Sequence, residues 1–252
     1  MNEKSPAYGP EELMAVLISR EVRDQETVGV GMSSPVPAAG CILAEQIHAP
    51  QATIIILGSE EYYPFPAGSS ELHFLAQRGE LDLFFLSGVQ IDRRGNINLH
   101  VIGDYEAPSL RMPGAYGSAM LYYMAHRVIL FRTEHTRRTF VEKVDFITAP
   151  GITPDKVYRE GGPTLVVTPK ALMAWDKEAE EWVLSAIHSG SSLEDVKENT
   201  GFPLRPAEKL ISTPPPTERE LMVLRTTVRD KLRRIYPDFA DQKIQKFRAG
   251  PA

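Results

Sequence analysis

The run Thr53-Ile54-Ile55-Ile56-Leu57 is the most strongly β-forming segment of the chain, and it shows no polar alternation. A strand with one face in water would alternate with period two, so this one is expected to be a central strand covered on both faces. Around it the pattern changes period. Glu11-Glu12-Leu13-Met14-Ala15-Val16-Leu17-Ile18-Ser19-Arg20 places apolar residues at helical spacing, with acids at the end where the helix dipole favours them. Thr27-Val28-Gly29-Val30-Gly31 reads as a short buried strand that runs into the polar loop Met32-Ser33-Ser34-Pro35-Val36-Pro37, ahead of a helix over residues 38–48. A strand, a small-residue loop and a helix form a βα unit. In open α/β sheets ligands bind at such loops, which makes Ser33 and Ser34 candidate binding residues.

Serines 69 and 70 and Gly79 bracket a short helix, and Asp82-Leu83-Phe84-Phe85-Leu86-Ser87 is the next buried strand. Further strands are expected at residues 127–131, 144–148 and 164–168, with 182–187 closing the sheet. The expected class is α/β: an open, largely parallel sheet with helices on both faces, built as a single domain over residues 1–213. Residues 214–252 differ in character. Pro214-Pro215-Pro216 is an extended hinge, because each proline fixes its own φ and biases its predecessor away from the helix. Thr217-Glu218-Arg219-Glu220 then caps a helix over residues 221–235, whose Leu221, Leu224, Val228 and Leu232 recur every three or four residues and dock it on the same domain.

With 252 residues, 42% hydrophobic and 24% charged, the chain has the composition of an ordinary folded protein. A net charge of −5 and no large basic cluster argue against a nucleic-acid groove. Cys41, the only cysteine, favours a reducing compartment, and it reads as a small packed residue. No signal peptide and no apolar stretch of spanning length is seen, so a cytoplasmic address and no membrane partner are expected. The six histidines show no short helical pairing, so no metal is expected; His100 and His126 remain candidate acid–base residues. Gly29-x-Gly31 lacks the third glycine of a dinucleotide fingerprint, and no P-loop is present.

One stretch is spaced like a site. Gln90-Ile91-Asp92 is followed by Gly95-Asn96-Ile97-Asn98, then Gly103-Asp104-Tyr105, then Pro108 and Arg111, then Gly114-Ala115-Tyr116-Gly117. That order resembles the β subunit of family I CoA-transferases of the glutaconate type, with its G-x-Q-I-D-x-x-G-N-x-N segment, GDY, P-x-x-R and glycine loop. Later segments continue the resemblance: Arg137-Arg138-Thr139-Phe140, Pro150-Gly151, Leu165-Val166-Val167-Thr168 and Asn199-Thr200-Gly201-Phe202.

The resemblance implies a coenzyme A thioester as substrate, no permanently bound cofactor, and a homologous α subunit in a heterodimer or heterotetramer. It assigns Gln90 to the acyl-CoA pocket, and Gly114, Tyr116 and Gly117 to a loop that offers N–H groups to an oxyanion or to CoA. Taken without the resemblance, the turn around Gly95 and the glycine loop read equally well as ordinary turns. The transferase nucleophile of the family is a glutamate after an apolar strand. Counting from His48-Ala49-Pro50 puts it at Leu57, which has no nucleophile.

The nearest carboxylates, Glu60 and Glu61, follow three and four residues later. An extended chain would leave Glu60 roughly 10 Å from the expected place unless the loop doubles back. Members of the superfamily that lack this glutamate include the hydrolase that opens a steroid ring as its CoA thioester, whose acid–base carboxylate lies on the α subunit. The resemblance therefore implies hydrolysis or C–C cleavage with the main base on the partner. The alternatives are true CoA transfer through Glu60 or Glu61, or a non-catalytic CoA-binding subunit.

Overall fold

The computed structural model describes residues 8–66, 68 and 70–247. These fall into two compact units: the two ends of the chain, up to Pro66 and from Pro214, form one, and the middle, to Thr213, forms the other. Ser69, expected to help cap a helix, lies outside the described residues.

The first end supplies α1 (Pro10–Glu21), β1 (Thr27–Val30), α2 (Pro35–Ile47) and β2 (Thr53–Ile56). β1 and β2 pair in parallel, with Val30 opposite Ile56, so both strands deliver their following loops to the same edge. α2 begins three residues before the expected start because Pro35 stands at its first position, where a missing N–H costs nothing and the fixed φ suits a helix. Ile54, Ile55 and Ile56 are buried as their sequence demands, yet β2 is not central, for its only ladder partner among the described residues is β1. Two-sided burial reports covered side chains. It says nothing about whether the strand's backbone has one neighbour or two.

The middle unit begins with α3 (Ser70–Gln77), β3 (Leu83–Leu86), β4 (Gln90–Asp92), β5 (Ile97–Asn98), β6 (Val101–Ile102) and β7 (Leu110–Arg111). It continues with α4 (Ser118–Met124), β8 (Arg127–Phe131), β9 (Phe140–Val141), β10 (Pro163–Val167), β11 (Ala171–Asp176), β12 (Glu181–Ile187), α5 (Leu193–Glu198) and β13 (Arg205–Ser212). Six of its strands line up in the order β13-β12-β11-β10-β8-β3. The β3–β8, β8–β10 and β12–β13 pairs are parallel, and β11 runs antiparallel to both neighbours. The fold is α/β with a mostly parallel sheet, as the sequence implied.

One expected strand is absent, and two long strands stand where none was expected, each for its own reason. Residues 144–148 are bends and irregular chain: the Asp145 N–H bonds to the Gln90 side chain, and the Thr148 N–H bonds to the Ile97 carbonyl beside a lone antiparallel bridge between Ala149 and Ile97, which does not extend into a strand. β11 was missed because Ala171-Leu172-Met173-Ala174 has helix-forming composition, which pairing with β10 and β12 overrides. β13 was missed because it carries Pro206 and is largely exposed. It lies outside β12, where a proline is tolerated at an edge, so β12 does not close the sheet.

The second end returns with α6 (Glu218–Val223), α7 (Arg229–Leu232) and α8 (Pro237–Lys243). Thr217 and Glu220 form the expected capping box, at 3.2 and 2.6 Å. In place of one continuous helix, a π turn at Leu224–Val228 separates α6 from α7, while Leu224, Val228 and Leu232 stay buried. Arg225 sits in that turn and grips the fully buried carboxylate of Glu12 on α1 at 2.8 Å through both of its oxygens. A buried acid needs such a partner. Arg20 adds a second tie, donating to Glu220 and to the carbonyls of Pro214 and Pro215. No helix among the described residues is long and apolar enough to cross a membrane.

Candidate functional site

At the carboxyl edge of β1 and β2 two loops leave side by side. After β1, Met32 is 71% exposed and Ser33 has φ +59, whereas Ser34 is buried, its hydroxyl 3.5 Å from the Met32 carbonyl. After β2, the Leu57 N–H bonds to Val30 at 3.0 Å, and the chain then folds back: Ser59 N–H donates to the Ile56 carbonyl at 3.1 Å, and Ile56 N–H to the Tyr62 carbonyl at 2.9 Å. Ser59 is buried, and its hydroxyl accepts from Tyr62 N–H at 3.0 Å. The loop therefore does double back, which removes the extended separation expected between Leu57 and Glu60.

The two acids on this loop differ. Both are exposed, but Glu61 is held between Lys231, to which it is hydrogen-bonded, and Arg234 at 3.4 Å. Glu60 shares in neither contact. Tyr62 is buried at the end of the loop, its hydroxyl donating to Glu45 on α2 at 2.8 Å and accepting from Lys231 at 2.9 Å. Desolvation pushes the Tyr62 phenol up to about 12.

In the middle unit, the segment that looked most like a site is spent on its own folding. The carboxylate of Asp92 is buried and accepts from the N–H groups of Arg94, Asn96 and Val144 and from the Asn96 amide, at 2.9 to 3.3 Å. Burial raises its pKa, and those four donors oppose the rise. Gln90 uses both ends of its amide: the oxygen accepts from Asn98 and from Asp145 N–H, and the nitrogen donates to Asp145. Asn98 donates further to the Val101 carbonyl at 2.6 Å and accepts from His100 N–H at 3.0 Å. Asn96 accepts from Gly151 N–H. The G-x-Q-I-D-x-x-G-N-x-N segment is thus a hydrogen-bonded turn braced against residues 144–151.

GDY and P-x-x-R also meet each other. Arg111 donates to the Tyr105 carbonyl at 2.7 Å and lies 5.0 Å over its ring; Tyr105 stacks on Phe146 at 5.3 Å, and Phe146 lies 4.6 Å from His100. His100 Nδ1 is 2.7 Å from the Thr148 hydroxyl.

The glycine loop is the most open part of this unit. Tyr116 is 83% exposed with φ +47, a left-handed conformation uncommon for a bulky residue, and Gly117, at φ +81, caps the start of α4. Gly117 has a second reason to be glycine: a Cβ there would collide with His73 Nε2. Gly114 approaches the other imidazole, His100, whose Nε2 would lie 3.3 Å from an added Cβ. Ser118 follows Gly117, and its buried hydroxyl has no hydrogen-bond partner among the described residues. Two histidines therefore border the loop. His100 was a sequence candidate; His73 carried no signal, because only the fold brings α3 to residue 117.

The sequence candidates thus sort into two groups. Ser33, Ser34, Glu60 and Glu61 belong to the unit formed by the chain ends, and Gln90, Gly114, Tyr116 and Gly117 to the middle unit. His126 lies 3.3 Å from Asp82 and 3.5 Å from Glu160 at the surface, away from the glycine loop's two histidines in sequence and in partners. Cys41 is fully buried in α2, where burial pushes its thiol up and leaves it inert.

The chain thus has an α/β fold with exposed loops at the carboxyl edge of a parallel strand pair in one unit, and in the other a glycine loop bordered by imidazoles. The Coenzyme A transferase family profile matches residues 58–199. The chain is 32% identical to the B-type subunit of the 3-oxoadipate CoA-transferase of Pseudomonas knackmussii, over 87% of this chain and 93% of that one. It is 31% identical to the B-type subunit of the glutaconate CoA-transferase of Acidaminococcus fermentans, over 78% of this chain and 84% of that one. The crystal structure of the A. fermentans enzyme superposes with a TM-score of 0.80 at 26% identity, covering 96% of this chain and 99% of that chain. A cholesterol ring-cleaving hydrolase IpdB subunit from Mycobacterium bovis is 27% identical over 56% of this chain and 58% of its own length. The chain belongs to the Coenzyme A transferase family.

Proposed function

We propose that this chain is the B-type subunit of a two-subunit enzyme that acts on acyl-CoA thioesters, and that the enzyme cleaves its substrate by hydrolysis or C–C scission, with the base supplied by the homologous partner. One observation carries the finer part of the reading. Leu57, at the carboxyl end of β2 where the family resemblance puts the nucleophilic glutamate, has no group able to attack a thioester. CoA transfer requires a carboxylate oxygen to bond to the acyl carbon while CoA thiolate departs; the thiolate then attacks the enzyme's own carbonyl in that mixed anhydride, and the acyl group leaves as its carboxylate. Glu61 is a poor candidate for that role, since Lys231 and Arg234 already neutralise it. A thioester beside a second carbonyl is activated by its own structure, so a base and an oxyanion site suffice. The glycine loop, with its left-handed turn at Tyr116 and Gly117, is the segment of this chain suited to the second task.

A second reading, CoA transfer through Glu60, is favoured by the folded-back loop and by the two transferase relatives above 30% identity. Mass spectrometry of this chain separates the two. The complex with its partner is incubated with 3-oxoadipyl-CoA or glutaconyl-CoA and trapped with borohydride or hydroxylamine. No adduct on residues 54–63 during turnover supports cleavage; a CoA or reduced adduct on Glu60 establishes transfer.

A further inference from the structure

The helix α7 returns to the loop that follows β2. Lys231, on α7, donates to the Glu61 carboxylate and to the Tyr62 hydroxyl, and its ammonium lies 5.0 Å from the centre of the Tyr62 ring. Tyr62 passes the contact on to Glu45 of α2. The same tyrosine closes the loop, through its carbonyl on Ile56 N–H and its own N–H on the Ser59 hydroxyl. An exposed ion pair alone is worth little. Here, however, one ammonium is shared by a carboxylate, a phenol and an aromatic face, and the phenol is already fixed by burial. Burial alone would lower the Lys231 pKa, but its hydrogen bonds to Glu61 and Tyr62 hold it above the ordinary lysine range, so the cation is present at every working pH.

We propose that Lys231 is a positioning residue for residues 57–61. By engaging Glu61 and anchoring Tyr62, the C-terminal helices set the shape in which the loop presents Leu57 and Glu60 at the carboxyl edge of β2. The contribution to turnover rests on the acyl-CoA reading above; the contribution to loop shape does not.

The test uses the full chain with its partner and two readouts. In Lys231→Ala, amide hydrogen exchange of residues 57–62 should accelerate about tenfold, with exchange of residues 83–86 and 127–131 unchanged. Tyr62→Phe keeps the ring but breaks the hydroxyl relay, and should give a smaller acceleration in the same amides. With 3-oxoadipyl-CoA or glutaconyl-CoA, KM of Lys231→Ala should rise about tenfold with kcat within about threefold, as for a loop that lines the pocket without supplying a reacting group, and Lys231→Arg should recover most of the loss. Unchanged exchange at residues 57–62 overturns the proposal, as does faster exchange with both kcat and KM intact. If the wild-type complex turns over neither ester, it is the acyl-CoA reading that fails for them, and the exchange measurement alone decides whether Lys231 shapes the loop.

Discussion

Two regions of the molecule offer polar residues in site-like spacing, and they use them in opposite ways. Between Gln90 and Asn98 nearly every amide and carboxylate is buried and bonded within the chain. Between Leu57 and Tyr62 the buried hydrogen bonds come from the backbone and Ser59, while the acids stand at the surface, one held by the two cations and one apart from them. The lesson is that dense Asp, Asn, Gln and Gly spacing marks a tight turn at least as often as a ligand, since such side chains satisfy the backbone groups that a turn leaves unpaired. The sparser loop leaves Glu60 outside both cation contacts, so a substitution there tests function with little cost to folding.

The largest effect expected to sharpen this contrast is on acid stability. His135 and His188 are buried in the middle unit against Thr168, Thr200 and Thr213, and burial holds both pKa values down to about 4. Their folded-state pKa lies below the unfolded value of about 6.5, so each contributes full stability above that pH and loses it as pH falls toward about 4, by up to roughly 3 kcal/mol apiece. Denaturant unfolding followed from pH 7 to 4 should show this loss, and His135→Gln should flatten the curve. A curve as steep in the variant as in the wild type would place the acid sensitivity elsewhere.

Asp92→Ala comes next. Removing the carboxylate leaves three N–H groups, of which that of Val144 is buried, and the partly buried Asn96 amide without their acceptor, at a cost of about 3 kcal/mol. Urea unfolding measures it. A variant of wild-type stability that fails to turn over acyl-CoA would break the contrast, because Asp92 would then belong to a site and not to a turn.

Gly117→Ala should cost about 1–2 kcal/mol, from its left-handed φ and from the approach of His73. Combining it with His73→Ala removes the steric part and leaves the backbone part. A double variant with restored stability but lost turnover would show that the loop's N–H groups or the imidazole serve the reaction.

The smallest effect is expected at Glu60. Its replacement by alanine should alter stability by less than about 0.5 kcal/mol, as for other exposed surface residues. Turnover should stay within about threefold if the base lies on the partner. A loss of about a thousandfold, in a variant of unchanged melting temperature, would reinstate CoA transfer.

Much of the fold was legible because its signals are local. The apolar run at Thr53–Ile56, the capping box at Thr217 and Glu220 and the spacing of Leu224, Val228 and Leu232 each depend on a few neighbouring residues. What stayed hidden depends on partners distant in the chain. Only the tertiary structure could put β2 at an edge, set Ala171–Asp176 into a sheet against its helical composition, or spend residues 144–148 on bracing a turn. The same holds for the site. The sequence determined which side chains were available; the fold decided that Gln90 is consumed, that His73 reaches Gly117, and that Lys231, 170 residues away, holds Glu61. Long-range contacts of this kind are set by the burial of whole faces, a sum over many residues that no short window of sequence contains.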